Sequence, residues 1–305
     1  MKVLAFGEIL WDIIEGSEHL GGAPFNFAAH MAQCGNDVKI ISKVGNDSLG
    51  IRALDLSTVN SVDNSWIQTD QVFPTGIVDV TLSDGQPDYV IRENAAFDYI
   101  LSDNIEADLA ENTFDVFYFG SLVQRNAVSA RTLAKILSTG KFKHIFYDVN
   151  LRKLCYSAQI LKDSLSACTI LKLNRDEIGM ICEIFDAGGL TEEEFCKYIK
   201  SEYPAIRIII ITAAEDGCFI YESEFRHIPG IPVKVRDAIG AGDAFSAAFM
   251  HIYAATGDAV GAAKIANNVG AFVATQTGGI PTYSGEIKTM LKLGSSNLNT
   301  EVGLV

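Results

Sequence analysis

The middle of this chain alternates. Val116–Phe119 reads as a buried strand, Ala127–Leu137 as a helix, Ile145–Val149 as a strand, Ser157–Ala167 as a helix and Ile170–Leu173 as a strand, with Ile206–Thr212 a further buried strand. Parallel strands need long crossovers, usually helical, so this rhythm predicts an α/β fold: a mostly parallel sheet with helices on both faces. Ligands of such sheets collect beyond the carboxyl ends of the strands. Val3–Phe6 and Val38–Ile41 read as further strands, with a helix ending near Cys34 between them. From Trp66 to Tyr99 the rhythm breaks. Gly76–Leu82 alternates, Asp84-Gly85 is a hairpin turn signal and Asp88–Arg92 returns, which predicts a small sheet projecting from the main body.

One stretch stands out for chemistry, Asp237-Ala-Ile-Gly-Ala-Gly-Asp-Ala-Phe245. A β-prone run, Ile231–Val235, leads in, and small and apolar residues from Ala244 to Ala255 lead out at helical spacing. Gly240, Ala241 and Gly242 leave the turn almost bare where the helix begins. The first amides of a helix lack internal partners and carry partial positive charge, so such a turn suits a phosphate. Asp243 would repel that phosphate unless it had work there, and taking a proton from an attacking hydroxyl is such work. The bland alternative is a glycine-rich turn with an acidic first helical turn; the length and order of the motif favour chemistry.

Other segments carry two readings each. Gly21-Gly22-Ala23-Pro24 is a turn and a proline-started helix, or a close backbone approach to a ligand with Asn26 able to bond vicinal hydroxyls. Asp47-Ser48 before a helix reads as a cap. Asp148-Val149-Asn150-Leu151-Arg152 is a salt-bridged loop or a polar end for a phosphorylated product. Asn174 with Glu177 is close to a capping box.

The bulk of the chain narrows the class. At 305 residues, with 48% hydrophobic and 20% charged residues, a sizeable core is expected. A net charge of −14 argues against nucleic acid or an anionic membrane as partner, though not against ATP. Six cysteines without a C-x-x-C pair suit buried thiols in a reducing compartment. No apolar run reaches membrane-spanning length and the first strand is too short for a signal peptide, so the expectation is a cytoplasmic protein. No repeat or interdomain linker is visible.

Gly-Ala-Gly-Asp-Ala-Phe after Asp-x-x resembles the C-terminal signature of the PfkB, or ribokinase-like, carbohydrate kinases. The likeness runs from Gly7-Glu8 to Pro281 with the motifs in order, and Gly-Glu-Ile-Leu-Trp-Asp, Gly-Gly-Ala-Pro, Asp-Val-Asn-Leu-Arg and Lys-Leu-Asn-x-x-Glu resemble the fructokinase-like branch. The resemblance implies a single ribokinase-like domain over 1–305, a three-layer α/β/α sandwich whose small β-sheet forms a lid from about 10–20 and 66–100, often also a homodimer interface. It implies an anion hole at Gly240, Ala241 and Gly242 with Asp243 as catalytic base. Asp12, Gly21, Gly22 and Asn26 take the sugar-holding places. By their own positions, Arg92 on the second arm of the hairpin either reaches the sugar or is a solvated lid charge, and Asn150 and Arg152 are the substrate contacts of the polar-loop reading. Lys172, Asn174, Thr212, Ala214, Gly217 and Asn267 fall at nucleotide positions. Asn174 and Glu177 would orient Mg²⁺ through water, and Asp237, Ile239 and Gly278 would hold a monovalent cation such as K⁺. The substrates implied are ATP and a small free sugar, most simply fructose phosphorylated on a primary hydroxyl.

The chain departs from the family pattern at Ala238, where Thr is common, and at Ala214, where the Thr-x-Gly-x-x-Gly segment has glycine. The alternatives are a sister kinase for 2-keto-3-deoxygluconate or a nucleoside, and a non-catalytic sugar-sensing regulator, against which the intact Asp243 speaks. There is no Walker A motif, and the glycines after the first strand do not read G-x-G-x-x-G, which argues against a dinucleotide oxidoreductase.

Overall fold

Ile208-Ile-Ile-Ile-Thr212 is apolar at four successive positions, so a strand made of it must be covered on both faces. It is. The computed structural model describes residues 1–14, 16–83, 86–102 and 105–296 and places this strand inside a nine-stranded sheet. The strands in chain order are β1 (Lys2–Phe6), β4 (Asp37–Gly45), β5 (Ile67–Asp70), β8 (Thr113–Gly120), β9 (Lys141–Asp148), β10 (Ile170–Asn174), β11 (Ile208–Thr212), β12 (Cys218–Tyr221) and β13 (Phe225–Ile228). Their spatial order is β13-β12-β11-β10-β9-β8-β1-β4-β5. Seven strands are mutually parallel, and β12 and β13 fold back as an antiparallel edge.

Period-two alternation divides the core between the two faces. Val3, Ala5, Ile208 and Ile210 point into one cluster with helices α1 (Ala23–Gln33), α8 (Ala241–Thr256), α9 (Ala259–Ala274) and α10 (Gly285–Ser296). Leu4, Phe6, Ile209 and Ile211 point into the other, against α3 (Glu106–Glu111), α4 (Ala127–Thr139), α5 (Ala158–Ala167), α6 (Arg175–Phe185) and α7 (Glu192–Glu202). These layers are the α/β/α sandwich expected from the strand–helix rhythm. The chain lays β4 and β5 to one side of β1 and all later strands to the other. The reversal opens a crevice at the carboxyl end of β1.

A second, four-stranded sheet has the order β3-β2-β6-β7, built from β2 (Leu10–Ile14), β3 (Ser17–Gly21), β6 (Gly76–Ser83) and β7 (Gln86–Ile91). It is smaller than the 66–100 segment suggested, because β5 pairs with β4 and extends the large sheet. The Asp84-Gly85 turn lies outside the described residues, as does the tail from 297. The β-prone run Ile231–Val235 forms no strand, and the strand before it is Phe225–Ile228. Pro229 and Pro232 remove amide donors from this stretch, and Ile231, Val233 and Val235 stand exposed at 40%, 39% and 60%.

Helix starts show how local chemistry prepares the site. Asp47 before α2 (Ser48–Val59), Asn126, Ser157, Asn174, Thr191 and Asp258 each accept a hydrogen bond from an amide of the helix they open. Helices α1 and α8 start on Gly22 and Gly240 and receive no side-chain cap.

Candidate active site

The two glycine-started helices, α1 and α8, meet. Asn26, in the first turns of α1, donates from Nδ2 to Oδ2 of Asp243, in the first turn of α8, at 2.8 Å. Glycine is required at both caps. Gly240 has φ +76°, and a Cβ there would lie 2.4 Å from the Gly279 carbonyl oxygen; Gly22 has φ +104°, and its Cβ would lie 2.4 Å from that of Glu8. At Gly21 a Cβ would come within 2.8 Å of Asp12 Oδ2, so the bare backbone leaves that carboxylate room.

Behind Asp243 sits a buried ion pair. Lys172 Nζ donates to both oxygens of Asp148 at 3.0 Å, the two residues being register partners on β10 and β9. Tyr118 Oη at 3.1 Å and Ser246 Oγ at 3.4 Å also donate to Asp148 Oδ2. Lys172 points toward the uncapped turn: a Cβ on Gly242 would be 3.4 Å from its Nζ. Burial works against the Lys172 charge, but Asp148, Glu177 and Asp243 outweigh it and raise its pKa.

Asp243 itself is pushed up from 3.8 to about 6, by burial first and by the Asp148 charge second, against the Asn26 hydrogen bond, Lys172 and Arg152. Asp12 is also raised by burial, with Arg152 and His19 opposing. Arg152 thus faces Asp12 of β2, Asp243 of α8 and Glu8 of the loop after β1.

The remaining sequence candidates divide. Asn174 and Glu177 form the capping box: Asn174 Oδ1 accepts from the Glu177 amide, and the Glu177 oxygens accept from the Asn174 and Leu151 amides at 2.8 and 2.6 Å. Asp237 accepts from the Ile239 and Gly278 amides at 3.0 Å, which draws that trio together. Asn150 takes a left-handed φ of +40° on the loop after β9. Arg92 is not free: it makes a two-pronged ion pair with Asp79 of β6 and is 55% exposed. It does line a cavity of about 770 Å³ with Arg125, Arg152 and Lys153, where Arg125 is paired with Asp98. Asn267 holds the carbonyls of Ile228 and Pro229 through Nδ2, and Thr212 donates to the Leu173 carbonyl.

Gly217 has φ +91° and no room for a Cβ, which would lie 2.2 Å from the Ile228 carbonyl oxygen. Ala214, by contrast, is held at φ +47° despite its side chain. The left-handed region costs an alanine about 1–2 kcal/mol, against about 0.4–1 kcal/mol of unfolded-state entropy that glycine adds. Ala214→Gly is therefore expected to stabilise the protein by roughly 0.5–1 kcal/mol in urea unfolding; a destabilised variant would mean the methyl group packs productively.

Sequence reading assigned no role to Glu8, Tyr118 or Ser246. Only their place near strand ends or on the first turns of α8 could have flagged them, because the contacts join residues far apart in the chain.

The family described as "pfkB family carbohydrate kinase" matches residues 4–284. The chain belongs to the pfkB family of carbohydrate kinases. This kinase is a sugar phosphotransferase with a ribokinase-like fold. It is 26% identical over 323 residues to fructokinase-1 of Oryza sativa subsp. japonica, covering 96% of this chain and 98% of that one. Among solved structures it resembles fructokinase with bound ATP from Xylella fastidiosa, with a TM-score of 0.83, 22% identity and coverage of 96% and 99%. It also resembles aminoimidazole riboside kinase from Salmonella enterica, solved with aminoimidazole riboside and an ATP analogue, with a TM-score of 0.80, 21% identity and coverage of 95% and 100%. No helix among the described residues is long and apolar enough to cross a membrane.

Proposed function

We propose that this kinase transfers the γ-phosphoryl group of ATP to a primary hydroxyl of fructose, giving fructose 6-phosphate. The observation that carries the mechanism is Asp243, a carboxylate held by Asn26 at 2.8 Å on the first turn of an uncapped helix and raised to about 6. A base poised near neutrality can accept the hydroxyl proton as the oxygen attacks phosphorus. The amides of Ala241, Gly242 and Asp243 lack a competing side-chain cap, though that of Ala241 makes a long 3.3 Å hydrogen bond to the Ala238 carbonyl, and would meet the charge on the moving phosphoryl. Asp12, Gly21, Gly22, Asn26 and the loop of Asn150 and Arg152 form the sugar side of the site in this reading, with Lys172 and the Thr212–Gly217 turn toward the nucleotide. Asn267, tied to the β13 loop, would shape the adenine side rather than touch it.

The residues fit Mg²⁺ that arrives on the nucleotide rather than a protein-built metal centre. Among the described residues no three His, Cys, Asp or Glu side chains cluster to hold an ion, and the Glu177 carboxylate already accepts two amides. Asn174 and Glu177 would therefore hold it through water, and bound Mg²⁺ supplies charge neutralisation at the β- and γ-phosphates. Asp237 with the backbone of Ile239 and Gly278 is the proposed place of a monovalent cation such as K⁺. The small sheet is the proposed lid, excluding water during transfer. Its edge strands β3 and β7 would supply a homodimer contact. Six free thiols support a cytoplasmic enzyme.

The resemblance to fructokinases supports fructose. One observation favours a second reading: the cavity lined by Arg152 and Lys153, where Arg92 and Arg125 are already paired with Asp79 and Asp98, would suit a sugar acid such as 2-keto-3-deoxygluconate. ADP release from Mg·ATP across fructose, ribose, 2-keto-3-deoxygluconate and nucleosides decides between them. Highest kcat/KM with fructose is the expected result. Preference for the acid would replace the substrate and keep the mechanism, and sugar binding without turnover would point to a regulator.

A further inference from the structure

Two buried glutamates invite comparison. Glu177 is 4% exposed and both its oxygens accept backbone amides, as a structural carboxylate should. Glu8 is 3% exposed, stands just past the carboxyl end of β1, and its Oε2 has no hydrogen-bond partner among the described residues. Leaving a buried polar atom unpaired costs about 1–3 kcal/mol. No ion pair among the described residues offsets it. The charged groups that face Glu8 are Arg152, from the loop after β9, and Asp243, from α8; the neutral ones are its own amide, that of Ala23 and the buried Tyr118 hydroxyl of β8. Asp12, on β2, answers to Arg152, His19 and Asp237 instead.

A second orphan lies on the same side of the site. Asn26, 4% exposed, uses Nδ2 on Asp243, while its Oδ1 has no partner among the described residues. The backbone holds Glu8 against this corner. Gly22, four residues before Asn26, is pressed on the Glu8 carbonyl, and its ideal Cβ would sit 3.4 Å from Glu8 Cγ. Gly7 allows no side chain either, since a Cβ there would lie 2.4 Å from Pro24 Cγ. The corner beside the base therefore offers two oxygens without partners among the described residues, Asn26 Oδ1 and Glu8 Oε2. A hydroxyl group, which donates once and accepts, complements that pair.

We infer that Glu8 binds the sugar as a neutral carboxylic acid, donating a hydrogen bond from its unpaired oxygen to a substrate hydroxyl beside the one that reacts. This rests on the sugar-kinase reading of the site. Burial chiefly, with the Asp243 charge adding to it against Arg152, raises Glu8 to about 7, so the protonated form is available where Asp243 is already ionised. Glu8 moves no proton to product. It returns from each turnover with its own.

The consequence is a window. Asp243 must lose its proton, so kcat/KM for the sugar rises through about pH 6; Glu8 must keep its proton, so the same quantity falls above about 7. Glu8→Gln, which keeps a donor and cannot ionise, is expected to abolish the alkaline limb and keep the acid limb. At pH 6.5 its KM for the sugar should stay within about threefold of wild type, whereas Glu8→Ala should raise that KM about tenfold or more with KM for ATP unchanged. An alkaline limb that persists in Glu8→Gln overturns the inference, and so does a Glu8→Ala enzyme with unaltered sugar KM. Should Glu8→Ala fail to fold, infrared difference spectra of wild type and Glu8→Gln at pH 6.5 decide: sugar addition should shift a protonated-carboxyl band that Glu8→Gln lacks, and an unshifted band refutes the idea. Because the spectra need binding and not turnover, a protein that binds sugar without phosphorylating it would defeat the kinase mechanism while leaving Glu8 judged separately.

Discussion

Asp243→Asn is expected to lower kcat by about 10²–10⁴-fold while leaving the KM values for sugar and ATP nearly unchanged, because it removes an interaction with a moving proton and little ground-state contact. The same substitution should stabilise the resting protein at alkaline pH. A carboxyl whose folded pKa is raised binds its proton more tightly folded than unfolded. The stability this lends is full below the unfolded value near 3.8 and is lost as pH rises through about 6. Above that, the ionised Asp243 lies near Asp148 and partly out of water, and an amide relieves both costs while still able to accept from Asn26. Thermal unfolding at pH 5 and pH 8 separates the effects: the gain in Tm for Asp243→Asn should be larger at pH 8. In the wild-type kinase, activity should fall as pH drops through about 6, since the base must be ionised. Near wild-type turnover in Asp243→Asn, with a folded protein, would remove Asp243 as the base.

What could be read from the sequence follows from how local each cause is. The sheet was legible because strands buried on both faces are written as continuous runs such as Ile208–Ile211, and the turn before α8 because Gly240 and the missing cap are properties of consecutive residues. The capping roles of Asp47 and Asn174 were legible for the same reason. Propensity failed at 231–235, where Pro229 and Pro232 deny the ladder its donors and β13 forms upstream instead. Charge alone could not reveal that Arg92 is paired with Asp79. Least legible was the interior of the site. Asn26 and Asp243 are 217 residues apart, and the Tyr118, Asp148, Lys172 and Ser246 group draws on β8, β9, β10 and α8. Such contacts exist only once the crevice at β1 has formed, which is why Glu8 reads from sequence as no more than the end of a strand.

That interior supplies the second large effect. Asp148→Asn should destabilise the kinase by roughly 3–5 kcal/mol, the usual cost of removing one partner of a buried ion pair. Asp148 is fully buried and Lys172 is 8% exposed, so water reaches neither well. The value should fall toward the lower end, because Glu177 and Asp243 still face Lys172 and partly balance its charge. Urea unfolding would show this as a lower midpoint with an unchanged slope. Two further shifts follow. Lys172 loses the partner that most strongly raises its pKa, and Asp243 loses the neighbouring charge that lifts its own, so the acid limb of the pH profile should move below about 6. Asp148→Asn with Lys172→Met should recover much of the lost stability, since no buried charge is then left unpaired. It should not recover activity, because Lys172 is the one ammonium directed at the bare turn of Gly242 among the described residues. If the double variant were as active as wild type, Lys172 would be a structural counter-ion and the phosphate would rest on the helix amides alone.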